Sequence, residues 1–221
     1  MKIHDVEQSS LEWLKLHIGI PTAGGLDNLL TPEFELRKGE TPKTYIYKKV
    51  AEAWRGKPLV DLSASSFAME QGLILESEAL PYYELTTGRK VRRVGFITTG
   101  DGRFGCSPDG IICEGSYPPA TGIGIEIKCP APHTHVKYLN DGVVPKEYRA
   151  QVQGGMFATG WSKWIFFSYC RGFPPLILEV MRDEKQQTKI AEAVTMFHCE
   201  FERATKQIER WQKNPLNEFK K

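Results

Sequence analysis

The chain has 221 residues, of which 41% are hydrophobic and 25% are charged. That length allows a sizeable core, and that composition excludes an intrinsically disordered chain. The formal net charge is only +2, so binding to nucleic acid would require basic residues clustered on one surface rather than a general excess. We expect one folded domain spanning residues 1–221.

The cysteines and the N-terminus bear on where the protein acts. The 5 cysteines are odd in number and form no Cys-x-x-Cys pair, which argues against a disulfide framework and against a four-cysteine zinc site. Residues 1–10 lack the apolar segment of a secretory signal, and no run approaches the roughly 18 apolar residues that span a bilayer. We therefore expect reduced thiols, a cytoplasmic location and no contact with a membrane.

Helical spacing of apolar residues dominates the first third of the chain. It predicts a short helix over 9–17, a loop near Thr22 where glycine and proline interrupt the pattern, and longer helices over 42–54 and 63–83. Trp13 and Trp54 are interpreted as packing residues within these helices.

The remaining two thirds of the chain alternate between strands and helices. Short segments rich in β-branched or aromatic residues predict strands of one small sheet, at 93–98, 103–107, 110–113 and 122–129. After them we expect a helix over 145–158, buried strands over 164–170 and 176–181, and a long helix over 183–211. The order predicts a mixed α/β core, with a central sheet flanked by helices and a helical N-terminal third.

Two short segments carry the most chemical information. Ser107-Pro108-Asp109-Gly110 has the composition of a turn, and the strand over 123–129 contains Glu126 and Lys128. Alternate side chains of a strand share a face, so Glu126 and Lys128 point together while Ile125, Ile127 and Cys129 point toward the core. The strand therefore displays an acid beside a base, and Cys129 is a core residue rather than a nucleophile.

Hydrolysis of a phosphodiester requires carboxylates that hold a hard divalent ion and a positive group near the attacking water. Asp109, Glu126 and Lys128 supply these groups, provided that the strands fold Asp109 back beside Glu126. Taken alone, the turn and the strand would each be more typical of a β-turn and a solvated strand face. Their occurrence together in this order favours a catalytic site.

The same residues match the PD-(D/E)-x-K nuclease signature, in which a Pro-Asp turn precedes an acidic-x-Lys strand. More specifically, the chain resembles viral recombination nucleases of the bacteriophage lambda exonuclease type, also called YqaJ-type. Cys-Ser-Pro-Asp-Gly and Ala-Gln-Val-Gln are the most specific strings. The matching segments are 13–30, 71–76 with Ala79, 106–110, 126–130 and 150–153 with Met156.

The resemblance implies a restriction-endonuclease-like core and a site that uses Mg²⁺, for which Mn²⁺ can substitute. Asp109, Glu126 and the backbone carbonyl of Ile127 would be metal ligands, and Lys128 would orient or activate water. Glu76 would reach the same site from its helix and help to hold a second ion. The alternative for Glu76 is an ordinary solvated helix position.

Phosphate contacts are implied in the same way. Ser107 and Gln153 match residues that contact DNA phosphate, although Gln153 could also be an ordinary polar helix residue. Where family members receive the 5′-phosphate with an arginine and a serine, this chain has His17 and Gly24. Neutral histidine is a weaker anion partner than a guanidinium group, so phosphate capture would rest partly on Thr22, Lys15 or loop amides. We expect any phosphate preference that depends on His17 to grow toward pH 6.

By resemblance, the activity is digestion of the 5′-ended strand of linear duplex DNA, 5′ to 3′, which leaves 3′ single strands for recombination by strand annealing. A ring-shaped homotrimer, a single-strand annealing partner and a phage origin are implied with it. Two alternatives stay open: a restriction-like or structure-specific endonuclease with the same core, and a DNA-binding scaffold whose site has decayed.

For three other features, a structural or surface role is weighed against a functional one. His133 and His135 could form a zinc pair, but no third ligand is evident, so a structural or surface role is preferred. The aromatic residues over 161–169 are assigned to the core rather than to a base-stacking platform. A basic run at 90–93 could follow a phosphate backbone or could simply be a solvated strand start.

Overall fold

The computed structural model describes residues 1–59, 67–113, 117 and 119–214, with side chains of the third helix described from residue 75. The helical elements are α1 (Leu11–Leu16), a 3-10 helix (Ala23–Asn28), α2 (Glu40–Arg55), α3 (Phe67–Thr87), α4 (Pro132–Asp141), α5 (Lys146–Thr159) and α6 (Glu184–Lys213). The strands are β1 (Lys2–His4), β2 (Phe96–Thr98), β3 (Gly105–Cys106), β4 (Gly110–Ile112), β5 (Ile123–Lys128), β6 (Lys163–Ser168) and β7 (Leu176–Met181). Within this described part, no helix is long and apolar enough to cross a membrane.

Local signals set the ends of several helices. The Ser10 hydroxyl accepts a hydrogen bond from the Trp13 amide at the start of α1, and the Asp183 carboxylate caps α6 in the same manner. Helix α2 ends at Gly56, which takes the left-handed conformation that glycine adopts at little cost. The predicted helix over 63–83 corresponds to α3, although residues 63–66 lie outside the described part of the chain.

The strands form two sheets instead of one small sheet at the middle of the chain. β1, β2 and β3 make a three-stranded sheet, whereas β4, β5, β6 and β7 make a second, mixed sheet in that order. The prediction of a single sheet was therefore wrong. The first sheet depends on β1, a short strand with no apolar alternation in its sequence, which pairs with β2 from more than ninety residues away. In the second sheet, β5 and β6 are parallel, and the chain crosses between them through α4 and α5.

The mixed sheet carries hydrophobic clusters on both faces. Trp164 and Phe166 belong to the larger cluster, which includes residues of α5 and α6, whereas Ile165 and Phe167 belong to the cluster that includes α3. The alternation along β6 places all four side chains in the core, as predicted for this aromatic segment. The prediction of a mixed α/β fold with helices flanking a central sheet is confirmed.

Several local predictions need correction. The sequence analysis missed α4, whose first residue is Pro132, and it expected an irregular loop where the 3-10 helix lies. Trp54 is 43% exposed rather than packed, while Trp13 is half-buried. His135 is fully buried, with its ring nitrogens bonded to the Ser168 hydroxyl and the Pro174 carbonyl, so it is a structural residue and not half of a zinc pair.

Candidate active site

The antiparallel pairing of β4 with β5 brings Asp109 to the Glu-x-Lys strand. Gly110 lies opposite Ile125, and the Asp109 amide donates to the Ile125 carbonyl at 3.0 Å. The Asp109 carboxylate in turn accepts a hydrogen bond from the Ile127 amide. The turn at Asp109 and the pairing of β4 with β5 thus bring Asp109 close to the strand that carries Glu126.

Glu126 and Lys128 share the face of β5 that looks toward α5. Glu126 is 4% exposed, and its Oε1 atom accepts hydrogen bonds from Lys128 Nζ and from Gln151 Nε2, both at 2.6 Å. The Lys128 ammonium also lies 4.8 Å from the centre of the Tyr148 ring. Ile127, on the opposite face, packs in the cluster that includes α3.

Burial and mutual repulsion dominate the electrostatics of the site. Burial, followed by the charges of Glu126 and Glu76, raises the pKa of Asp109 well above 3.8. Burial also raises the pKa of Glu126, although Lys128 opposes this shift. Burial lowers the pKa of Lys128, but the Glu126 carboxylate more than offsets that effect, so its pKa is raised and the ammonium stays charged.

Glu76 of α3 lies on the other side of Asp109. Its side chain is half-buried, and burial raises its pKa while Arg93 and Lys128 oppose the increase. A cavity of about 530 Å³ is lined by Glu76, Arg93, Asp109 and the N-terminal segment that includes Gln8. The helix thus brings Glu76 into the electrostatic environment of Asp109 and Glu126.

A second cavity, of about 320 Å³, opens on the side of Asp109 that faces α5. It brings together the three expected catalytic residues with three of the expected phosphate contacts, which are Ser107, His17 and Thr22. The Ser107 hydroxyl oxygen accepts a hydrogen bond from the Trp13 indole at 2.9 Å, which leaves its own proton available to a ligand.

Gln153 does not belong to this cavity, which corrects its expected role as a phosphate contact. It is 4% exposed, its amide nitrogen donates to the Met181 carbonyl, and its amide oxygen accepts from the Asp183 and Gln187 nitrogens. These bonds hold α5 to β7 and α6. Gln151, two residues earlier, lines the cavity instead and contacts Glu126.

His17 lines the cavity as a neutral ring. Burial lowers its pKa to about 4, and Nδ1 donates to the Trp13 carbonyl at 2.7 Å. Its ring lies between Trp13 and Phe96, with centroid separations of 4.0 and 4.2 Å. A phosphate preference that grows toward pH 6 is therefore not expected, because His17 does not gain its proton in that range.

The sequence analysis missed the residues that support this arrangement. Gln8 donates to the carbonyls of Val94 and Pro108, at 3.0 and 2.9 Å, and it lines both cavities beside Asp109. The Trp13 indole additionally bonds the Gly95 carbonyl at 3.1 Å. No local pattern marks these two residues as neighbours of the site, because both contacts span more than eighty residues.

The donor set fits a hard divalent cation. Asp109 and Glu126 offer carboxylate oxygens, Ile127 a carbonyl oxygen and Glu76 a further carboxylate nearby, which are the ligand types that Mg²⁺ prefers. Burial raises the pKa of all three acids, and the neighbouring carboxylates add to this for Asp109 and Glu126, so a cation would stabilise their ionised forms. Among the described residues, no three His, Cys, Asp or Glu side chains are already grouped as a metal site.

Comparison with known proteins identifies the family. A model described as the YqaJ-like viral recombinase domain matches residues 12–162, more than half of the chain. The chain belongs to this family. The matched range includes the Asp109 turn, strand β5 and helix α5, and so contains Asp109, Glu126, Lys128 and Gln151. No curated protein matches the chain.

Solved structures resemble the chain over most of its length. An alkaline exonuclease from Laribacter hongkongensis is 27% identical, with a TM-score of 0.79 over 92% of this chain and 98% of its own. The same values hold for the structure of that exonuclease in complex with dAMP. A phage-related exonuclease from Haemophilus somnus 129PT is 14% identical, with a TM-score of 0.64 over 88% of this chain and 99% of its own, and shows the shared fold.

Proposed function

We propose that the protein is a magnesium-dependent exonuclease that digests the 5′-ended strand of linear duplex DNA, 5′ to 3′, leaving 3′ single strands for recombination. The observation that carries the proposal is the convergence of Asp109, Glu126 and Lys128 on one cavity that also contains Ser107 and Thr22. Family membership and similarity to alkaline exonucleases support a DNA exonuclease. The residues form one nuclease domain in this proposal.

In the proposed site, Asp109, Glu126, the Ile127 carbonyl and Glu76 would hold Mg²⁺, or Mn²⁺ in its place. When bound, the ion would supply a water of lowered pKa and neutralise charge on the phosphate. The Ile127 amide fixes the Asp109 carboxylate, and Gln151 fixes that of Glu126. Both are positioning contacts, which keep the ligands in place before substrate arrives.

Lys128 and Ser107 act on the substrate itself. The charged Lys128 ammonium, held between Glu126 and Tyr148, donates to the attacking water or to the scissile phosphate. Ser107 donates its free hydroxyl proton to a phosphate oxygen, and loop amides near Thr22 take part in place of a charged His17. Water adds to phosphorus, the bond from phosphorus to O3′ breaks, and a nucleoside 5′-monophosphate leaves. The dAMP held by the Laribacter exonuclease is a product of this class.

The proposed partners follow from the family resemblance. They are double-stranded DNA ends, two further copies of the chain in a ring-shaped trimer, and a single-strand annealing protein. We assign no membrane partner in this proposal.

The experiment that tests the function compares linear with closed circular duplex, each with Mg²⁺ and with the ion chelated. We expect acid-soluble nucleotide from linear DNA only, and only with the ion. Duplexes labelled at one 5′ or one 3′ end give the polarity, with early release of 5′ label expected.

Asp109→Asn is the control, because it removes a metal ligand with little change of volume and leaves the basic contacts to DNA in place. It should bind duplex and release no nucleotide. Cleavage of circular DNA would favour the endonuclease alternative. Binding without any metal-dependent cleavage by the unmodified protein would favour the decayed scaffold.

A further inference from the structure

The two cavities beside Asp109 differ in charge and in position. The cavity on the α5 side contains Lys128, Ser107 and Thr22. The cavity on the α3 side is lined by acidic residues and, among the described side chains, by one cation, Arg93. Both cavities include Gln8 and Asp109, so these two residues form the boundary between them. A strand whose scissile phosphate lies at Asp109 can extend into both cavities.

Gln8 makes the boundary a fixed one. Its side-chain amide bonds the Val94 and Pro108 carbonyls together, and these belong to the walls of the two cavities. The two carbonyls share the Gln8 amide as their donor. If either carbonyl moved away, the half-buried Gln8 amide would lose one of its hydrogen bonds, so the two walls are held together.

Arg93 is placed to meet a phosphate on the α3 side. Its side chain is exposed, and it lines the same cavity as Glu76 and Asp109. The acidic residues around it, Asp5, Glu7 and Glu76, repel a phosphate everywhere else in this cavity. A guanidinium group binds phosphate through two parallel hydrogen bonds. A DNA strand that enters this cavity would therefore be held with one of its phosphates at Arg93.

We propose that the strand retained after cleavage passes through the α3-side cavity, and that Arg93 binds the first phosphate beyond the scissile one. The nucleotide that leaves occupies the smaller α5-side cavity. Arg93 thereby fixes how far the strand advances before each cut. This inference rests on the proposed nuclease function, but it does not depend on the polarity of digestion.

The test uses duplexes in which a single neutral methylphosphonate replaces the first phosphate beyond the scissile one. Single-turnover cleavage with prebound DNA is measured for the unmodified protein, Arg93→Gln and Arg89→Gln. Arg89 is the matched control, since it is an arginine four residues before Arg93 that lines neither cavity.

We expect the unmodified protein to lose about tenfold in rate on the neutral linkage, the scale of one charge-assisted hydrogen bond. Arg93→Gln should lose about tenfold on ordinary DNA and nothing further on the neutral linkage, while Arg89→Gln behaves as the unmodified protein on both. Arg93→Lys, which keeps the charge, should recover most of the rate on ordinary DNA.

An unchanged rate in Arg93→Gln would overturn the inference. So would effects of Arg93→Gln and the neutral linkage that multiply, since Arg93 would then act elsewhere, for example only through Glu76. Both of these results require that the unmodified protein cuts ordinary linear duplex. Failure to cut it at all would instead refute the proposed function.

Discussion

At the scale of single residues, Lys128 is the group whose removal should affect the chemical step most selectively. Its pKa is raised by Glu126, so it is fully charged near neutral pH, and its side chain is held by Glu126 and Tyr148. Lys128→Ala should lower the single-turnover rate about one hundredfold, the scale of one lost preorganised electrostatic group. Duplex affinity should change little.

Lys163→Ala is the control for this measurement. Lys163 begins the adjacent strand β6, but its ammonium is exposed and pairs with Glu179 at 2.7 Å. Its removal should leave the rate unchanged. If Lys128→Ala weakened DNA affinity and left the chemical rate intact, Lys128 would be a binding residue instead.

His17 yields a prediction about pH that follows from its burial. The pKa of the ring is about 4 in the folded protein and about 6.5 in an unfolded chain, so the unfolded state binds more protons between these values. His17 therefore destabilises the fold as pH falls from 6.5 to 4, by as much as ~3 kcal/mol, and has no such effect above pH 6.5.

NMR titration of the His17 ring protons checks this directly, and a midpoint near 6.5 would contradict it. Any preference for a phosphorylated end should be the same at pH 6 and pH 8, after correction for the general pH dependence of hydrolysis. His17→Phe should keep the ring contacts and remove the acid sensitivity of stability that is due to this residue.

At the scale of secondary structure, the position of α5 depends on glycines that face the sheet. A Cβ atom at Gly155 would lie 2.5 Å from the Trp164 ring, and one at Gly124 of β5 would lie 2.3 Å from the same ring. These glycines let one indole fill the space between α5 and β5. Gln151, one turn before Gly155, then reaches Glu126.

Gly155→Ala should therefore destabilise the protein despite its better helix propensity. Overpacking costs roughly 1–3 kcal/mol, and alanine regains about 1 kcal/mol in a helix, so a net loss of up to about 2 kcal/mol is expected. Urea denaturation measures it. Gly100→Ala is the control, because a Cβ atom there would meet only the Met1 nitrogen, at 3.9 Å.

At the scale of the whole molecule, the uncompensated carboxylates predict that metal binding is coupled to stability. Burial raises the pKa values of Asp109 and Glu126 from 3.8 and 4.5, so the folded state keeps their protons at pH values where the unfolded state has lost them. Without a cation, these two groups destabilise the fold increasingly as pH rises above about 4. A cation replaces the protons and removes this penalty.

Mg²⁺ at about one hundred times its dissociation constant should stabilise the fold by about 2.7 kcal/mol, or roughly 5–10 °C in melting temperature for a chain of this size. At one fixed Mg²⁺ concentration, the increase should be larger at pH 8 than at pH 5, because protons compete with the ion at lower pH. Asp109→Asn should melt higher than the unmodified protein without metal and respond less to Mg²⁺. An equal response in both proteins would place the ion elsewhere.

Local patterns in the sequence predict the residue types proposed for the site and most of its local structure. Glu126 and Lys128 share a face of β5 because strand periodicity is a local property, and the turn at Asp109 leads directly into the antiparallel partner of β5. The long amphipathic helix and the buried aromatic strand follow from periodicity in the same way. The residues of β1 show no such periodicity, so that strand was not predicted. No local pattern marks Gln8 as a neighbour of the site either.

Only the tertiary structure decided which side chains surround that site. Gln151 and Gln153 are two residues apart and so about 200° apart around α5, and the sequence does not state which of them faces Glu126. His17 is neutral because distant Phe96 and nearby Trp13 cover its ring, which composition cannot reveal. Charge state and helix orientation depend on contacts between residues far apart in the chain, whereas strand parity depends only on neighbours.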